Sequence, residues 1–149
     1  IGTVETFSEN FGYVGVTPLI FSDTLKNNLI YANKHDVTDE EILKLVKLFE
    51  LFNESNEIDL NMEVNNKSLS SGQMQKISFI RALLSKVDIL ILDESMSNLD
   101  IKTKELIYRI LSGLNLTIIN STHSIENLEF DAHLEIKIEK DKRKVTLHN

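Results

Sequence analysis

Apolar residues along this chain switch between two spacings, and the switches mark its elements. Gly2–Thr6 and Phe11–Val16 read as short strands, and Thr17–Pro18 ends the second because the residue before proline is pushed out of the helical region. Ser22 to Leu29 suits a short helix capped by Ser22 or Asp23. Thr38 and Glu41 form the T-x-x-E pattern of a capping box. That box predicts a helix to about Phe52, with Ile42, Leu45, Val46, Phe49 and Phe52 on one face. Asn53 to Lys67 is polar and reads as irregular. Ser70–Ser71 opens another helix with Ile77, Ile80, Leu83 and Leu84 as its apolar stripe. Val87 to Leu92 is apolar apart from Asp88 and reads as a strand buried on both faces, the habit of parallel sheets. Asp100 caps a further helix that carries Leu106, Ile107, Ile110 and Leu111 and ends at Gly113. Leu116 to Asn120 reads as a second buried strand. Leu134–Ile138 and Lys144–Leu147 alternate around Lys140–Lys142 and predict a terminal hairpin at the sheet edge.

Helices in the middle and helix–strand alternation afterwards predict an α/β architecture with a helical insertion. Composition narrows this picture. The 149 residues, 42% hydrophobic, suffice for one sizeable core. No apolar run reaches the roughly 18 residues of a membrane span, and no N-terminal stretch reads as a signal peptide. Cysteine is absent, which excludes disulfides, thiolate metal sites and a cysteine nucleophile. Sixteen basic residues against 23 acidic ones leave a net charge of −7, which argues against a broad nucleic-acid-binding face. None of the five glycines (Gly2, Gly12, Gly15, Gly72, Gly113) begins a G-x-x-x-x-G-K-[ST] phosphate loop.

Ligands of such sheets bind beyond the carboxyl ends of the strands, and two predicted strands end in polar residues. Asp93 follows Ile89–Leu92 and suits a hydrated Mg²⁺; Glu94, beside it, suits activation of a water for attack on phosphate. A bare Asp-Glu pair also fits two solvated acids. His123, just past Leu116–Asn120, suits a phosphate oxygen or a plain loop position. At Ser70–Gln73, Gly72 permits close approach to the positive end of a helix, and a simple serine N-cap fits the same residues.

The order of these pieces is more specific than any one of them. Leu69-Ser70-Ser71-Gly72-Gln73 precedes Arg81-Ala82-Leu83, then Asp88 to Glu94, then Ser97-Asn98-Leu99-Asp100, then Ser121-Thr122-His123. Together they closely resemble the second half of an ATP-binding cassette (ABC) ATPase domain, over nearly the whole chain. LSSGQ resembles the signature usually written LSGGQ, the run ending in Asp93-Glu94 resembles Walker B, Ser97–Asp100 the D-loop and His123 the switch histidine. Tyr13 to Leu25, with Thr17-Pro18-Leu19-Ile20-Phe21, resembles the Q-loop stretch of exporters, including peptide and bacteriocin exporters.

The resemblance implies the C-terminal part of a P-loop NTPase (RecA-like) core with a parallel sheet, plus an α-helical signature subdomain. It divides the chain into 1–21 (core strand and Q-loop), 22–85 (helical subdomain) and 86–149 (Walker B, D-loop and H-loop). It implies ATP hydrolysis that powers export, with ATP and Mg²⁺ as ligands. Asp93 then acts through Mg²⁺, Glu94 as general base and His123 on the γ-phosphate. Ser70, Gly72 and Gln73, with Ser71 in the same motif, meet the ATP of a second cassette, identical or different. Asp100 crosses that dimer interface, and Val16–Asp23 lies beside the groove for a membrane-domain coupling helix. Transmembrane domains are the other implied partners, no nucleic acid is expected, and the implied location is the cytoplasmic face of the cell membrane.

Departures from the pattern carry their own expectations. Val16 stands at the Q-loop glutamine position and offers no side-chain oxygen, and Ser71 stands where glycine is usual. The loop before the signature, Asn61 to Lys67, has no glycine, and its acid Glu63 is one place out of register. Walker A and the adenine-stacking aromatic are missing, which reads as truncation or as one piece of a longer cassette, inactive alone. Two other readings stay open. An SMC-type chromosome or DNA-repair ATPase is opposed by Gln73, by the Thr17–Thr24 stretch and by the acidic charge. A non-catalytic regulatory cassette is supported by Val16 and opposed by Glu94.

Overall fold

The computed structural model describes residues 10–52, 57–123, 130–139 and 142–148. The expected strand Gly2–Thr6 lies outside these residues. Strand β1 (Phe11–Val14) is followed by β2 (Asp23–Thr24), helix α1 (Leu25–Ile30), α2 (Asp39–Leu48), β3 (Glu63–Val64) and α3 (Ser71–Leu84). Then come β4 (Ile89–Asp93), α4 (Ile101–Ser112), β5 (Thr117–Ser121), β6 (His133–Glu139) and β7 (Lys142–His148). Strands β1, β4 and β5 form a parallel sheet in the order β1-β4-β5. The α/β architecture with helices between β1 and β4 is therefore as expected.

One face of the sheet is packed. Val14, Leu90 and Leu92 are buried in a core shared with Leu25, Leu29, Ile42, Phe49, Ile77, Phe79 and Ile107. Gly12 sets the closeness of this packing: a Cβ there would stand 3.0 Å from Val87, 3.1 Å from Leu90 and 3.5 Å from Ala82 of α3. Helix α3 is buried on more than the expected stripe, since Gln75, Phe79 and Ala82 join Ile77, Ile80 and Leu84 inside. It has β1 on one side and α1 and α2 on others, and Phe79 stacks on Phe49 of the turn ending α2. The Arg81 Nε and Nη2 groups donate to the carbonyls of Asn28 and Leu19, and so tie the chain after Pro18 to α3. Burial of the guanidinium lowers its pKa.

Several local expectations are corrected. β1 ends at Val14, which leaves Gly15 and Val16 beyond the strand. The cap of α1 is Thr24, not Ser22 or Asp23: its side chain accepts from the Asn27 amide, while Asp23–Thr24 pairs antiparallel with Glu63–Val64 inside the stretch expected to be irregular. The amides of Leu25 and Lys26 are satisfied by the carbonyls of Met62 and Leu60, so the neighbouring segment decides where the helix starts. Helix α2 stops at Leu48 in a Schellman turn, with Glu50 N donating to Lys47 O and Leu51 N to Val46 O.

Glu50 is left-handed there, φ 48°, as are Ala32 (60°), Lys86 (51°) and Glu94 (49°), whereas no glycine among the described residues has positive φ. Strand β4 starts at Ile89, with Leu90 and Leu92 buried but Ile89 and Ile91 half-buried, so one face rather than both is covered. β5 is the exposed edge of this sheet, not a buried strand: Ile119 is 53% exposed. The terminal hairpin forms, but as a two-stranded sheet of its own with His133 opposite His148.

Candidate functional site

Because β1, β4 and β5 are parallel, their carboxyl ends emerge at one edge. Val14 lies opposite Leu92, and Asp93 opposite Ser121. The register therefore gathers Gly15–Val16, Asp93–Glu94 and Ser121–His123. Asp93, the last residue of β4, is exposed and accepts a hydrogen bond from the Tyr13 phenol at 3.1 Å. That bond to a carboxylate holds the phenolic proton and raises the pKa of Tyr13.

Glu94 leaves the strand in the left-handed region, a conformation that costs on the order of 1 kcal/mol for a residue with a Cβ. Its backbone is fastened on both sides. Glu94 N donates to Ser121 O at 2.9 Å, and Glu94 O accepts from Ser97 N at 3.2 Å and Ser97 Oγ at 2.7 Å. The side chain, one-quarter exposed, has its Oε1 3.4 Å from His123 Nε2, and the His123 ring is almost fully exposed. Asp93, Glu94 and His123 are thus brought together. Among the described residues no cluster of three or more His, Asp or Glu makes a metal cage. A single exposed carboxylate at a strand end fits Mg²⁺, which keeps several waters and takes its remaining ligands from phosphates.

Ser70 to Gln73 form a second group. Ser70 Oγ accepts from the Gln73 amide at 3.2 Å, and Gln73 Oε1 accepts from the Ser70 amide at 2.9 Å, which makes a full capping box. Gln73 Nε2 also donates to Leu51 O at 3.2 Å. S-x-x-Q was visible in the sequence as a capping box, although only the serine cap was read there. A Cβ on Gly72 would meet nothing nearer than Ser70 Oγ at 4.0 Å, so this face of the first turn is open.

Val16 is 47% exposed. It lines a cavity of about 160 Å³ together with Thr17, Ser71, Gln75, Ser95 and Asn98, so the loop after β1, the start of α3 and the turn after β4 converge there. Gln75, buried, donates from Nε2 to Gly15 O at 3.0 Å, and the buried Ser95 hydroxyl has no hydrogen-bond partner among the described residues. Asp100 lies apart from the cavity, in a groove of about 790 Å³ with Glu50, Lys76, Lys102 and Arg109. Its carboxylate caps α4 by accepting from Thr103 N and Oγ1, which lowers its pKa. Sequence reasoning missed Tyr13 and Gln75 as partners of the site, because their contacts depend on strand register and helix packing, which no local pattern encodes. Ser97, read there as the start of the D-loop, meets Glu94 through a local turn of three residues.

The ABC transporter family profile matches residues 2–97. The lactococcin-A transport/processing ATP-binding protein LcnC of Lactococcus lactis is 37% identical over 134 residues, 87% of this chain and 19% of that protein. The transport/processing ATP-binding protein ComA of Streptococcus pneumoniae is 36% identical over 125 residues, 81% of this chain and 17% of its own length. The ATP-dependent lipid A-core flippase of Francisella tularensis is 32% identical over 133 residues, 85% of this chain and 22% of its own. The chain thus spans about a fifth of the length of these curated relatives. A bacterial Atm1-family ABC exporter with ATP bound shares the fold at a TM-score of 0.76 and 23% identity, over 87% of this chain and 24% of that one. With its parallel sheet, its S-S-G-Q helix start and its profile match, the chain belongs to the ABC transporter family.

Proposed function

We propose that this chain is the Walker B and signature part of a cassette that hydrolyses ATP to power export by an ABC transporter at the cytoplasmic face of a membrane. The observation that carries this reading is the meeting of Glu94 Oε1 and His123 Nε2 at 3.4 Å beside Asp93, on the carboxyl edge of the sheet. In this reading Asp93 holds Mg²⁺, which when bound offsets the charge on the transferred phosphoryl group. Glu94 takes the proton of the attacking water, and its doubly fastened backbone keeps the carboxylate aimed. His123 donates towards the γ-phosphate. Ser70, Ser71, Gly72 and Gln73 face the ATP of a second cassette, at a helix start with no acid in its first turn. Asp100 faces the dimer interface, and Val16–Asp23 the membrane domain. The proposed division is 1–21, 22–85 and 86–149. The phosphate loop must come from outside these 149 residues, so the chain alone should turn over no ATP. Relatives named as transport/processing ATP-binding proteins and as a lipid A-core flippase favour this reading over a chromosome-structure ATPase.

Glu94→Gln in the assembled transporter tests the proposal. The substitution keeps shape and removes the basic oxygen. ATP binding should persist, turnover should stop and the ATP-bound dimer should accumulate. Single-turnover hydrolysis at the wild-type rate would place the base elsewhere. Val16→Gln, with the partner cassette silenced, asks whether Val16 weakens the site. A rate gain on the order of tenfold corresponds to one charge-assisted contact of about 1.5 kcal/mol. An unchanged rate would mean that the site works without that oxygen.

A further inference from the structure

We propose that Tyr13 is a positioning residue for the Asp93 carboxylate, and that Gly15 is the space that lets it act. This rests on the reading of Asp93 as the metal-holding residue. Tyr13 lies opposite Ile91 in the β1–β4 register, and side chains alternate along a strand, so Tyr13, Ile91 and Asp93 share the face of the sheet that no described element covers. The phenol extends towards the carboxyl edge and donates to Asp93 Oδ2 at 3.1 Å.

This reach requires the ring to lie over Gly15. A Cβ at residue 15 would stand 2.9 Å from the phenol oxygen, nearer than side chains approach one another, and a tight 3.0 Å from Cε1 and 3.2 Å from Cζ, so the exposed ring would have to shift away. Gly15 does not have positive φ, so its backbone suits any residue and the clash with Tyr13 is what alanine would bring. Val16, next in the chain, has no polar side-chain atom. Tyr13 therefore brings a hydrogen-bond donor from the β1 side to the end of β4. With one oxygen held, the carboxylate cannot swing freely, and Mg²⁺ demands near-ideal octahedral placement of its ligands. Groups that orient a metal ligand typically change metal affinity about 10- to 100-fold when removed.

The test is Mn²⁺ binding, followed by electron paramagnetic resonance, to the ATP-loaded transporter carrying Glu94→Gln so that no turnover intervenes. Tyr13→Phe should weaken Mn²⁺ about tenfold. Gly15→Ala keeps the phenol but displaces it and should weaken Mn²⁺ to a similar degree. The double variant should be no weaker than the worse single one, because both remove the same contact. Unchanged Mn²⁺ affinity in Tyr13→Phe, with Asp93→Asn strongly impaired, would overturn the positioning role and leave the site reading intact. Unchanged affinity in Asp93→Asn would overturn the site reading itself. Additive losses in the double variant would show that Gly15 acts through something other than Tyr13.

Discussion

Helices α2 and α3 begin with the same device and put it to different use. Thr38 with Glu41, and Ser70 with Gln73, both form complete capping boxes. The first turn of α2 is filled with acids, Asp39, Glu40 and Glu41, which answer the positive end of the helix from within the chain. The first turn of α3 contains no acid, its cap partner is a neutral glutamine, and Gly72 leaves the surface open. One helix start is answered electrostatically by its own acids. The other is held in shape by its cap but left unanswered in charge. A capping box by itself therefore says nothing about function; what surrounds it does.

The sharpest way to break this comparison is to answer α3 in charge as α2 is answered. Gly72→Asp adds a side chain and a negative charge where an ATP phosphate would approach. Like charges placed together at an interface cost several kcal/mol, so ATP-driven dimerisation and turnover should fall about 100-fold or more. Gly72→Ala should raise thermal stability, by about 0.5–1 kcal/mol, because glycine is a poor helix former and the added Cβ has room. Equal ATPase rates for Gly72→Asp and wild type would remove the distinction between the two helix starts.

Removing the caps sharpens it further. Ser70→Ala should cost about 1 kcal/mol in denaturant unfolding and also lower ATPase activity, since the same backbone shapes the open end. Thr38→Ala should cost a similar 1 kcal/mol or so and leave ATPase activity unchanged. The smallest effect is that of pH. Glu41 accepts from the Thr38 amide, and that bond, then Lys86, lowers its pKa. A carboxylate with a depressed folded-state pKa stabilises the fold fully above its unfolded value and loses that contribution as pH falls through the folded one. Unfolding measured below the ordinary glutamate range should therefore show a Thr38–Glu41 contribution that fades, and Glu41→Gln should flatten it. Gln73 does not titrate, so the α3 box should show no such fading.

The Thr38–Glu41 box and the Asp100 cap were legible because each lies within four residues and uses side chains with strong local preferences. The start of α1 was not, because the carbonyls of Leu60 and Met62, far along the chain, satisfy its first amides. The exposure of β5 was illegible for another reason. An apolar run such as Leu116–Ile119 announces a strand but not how many of its sides are covered. Of the site, Asp93, Glu94 and His123 could be placed at strand ends from the pattern alone. The Tyr13–Asp93 bond spans 80 residues and exists only because β1 and β4 are parallel in one particular register. Gln75 shows the same limit, since it looks like an ordinary helix residue until α3 is laid against the end of β1.

Among the described residues, four are left-handed and none of these is glycine, which amounts to unused latitude for stabilisation. Glu94 must keep its carboxylate if the proposed chemistry is right, and Lys86 forms an ion pair with Glu41. Ala32 and Glu50 carry no such duty. Glu50 follows the end of α2; its amide donates to Lys47 O and its carbonyl accepts from Lys76 Nζ, both of which glycine would retain, and only the attraction of its carboxylate for the Lys76 ammonium would be lost. Glycine at either position would relieve the steric cost of a Cβ in the left-handed region, on the order of 1 kcal/mol less the entropy that glycine brings to the unfolded chain. A sturdier scaffold is thus available without touching the sheet edge at which Asp93, Glu94 and His123 meet.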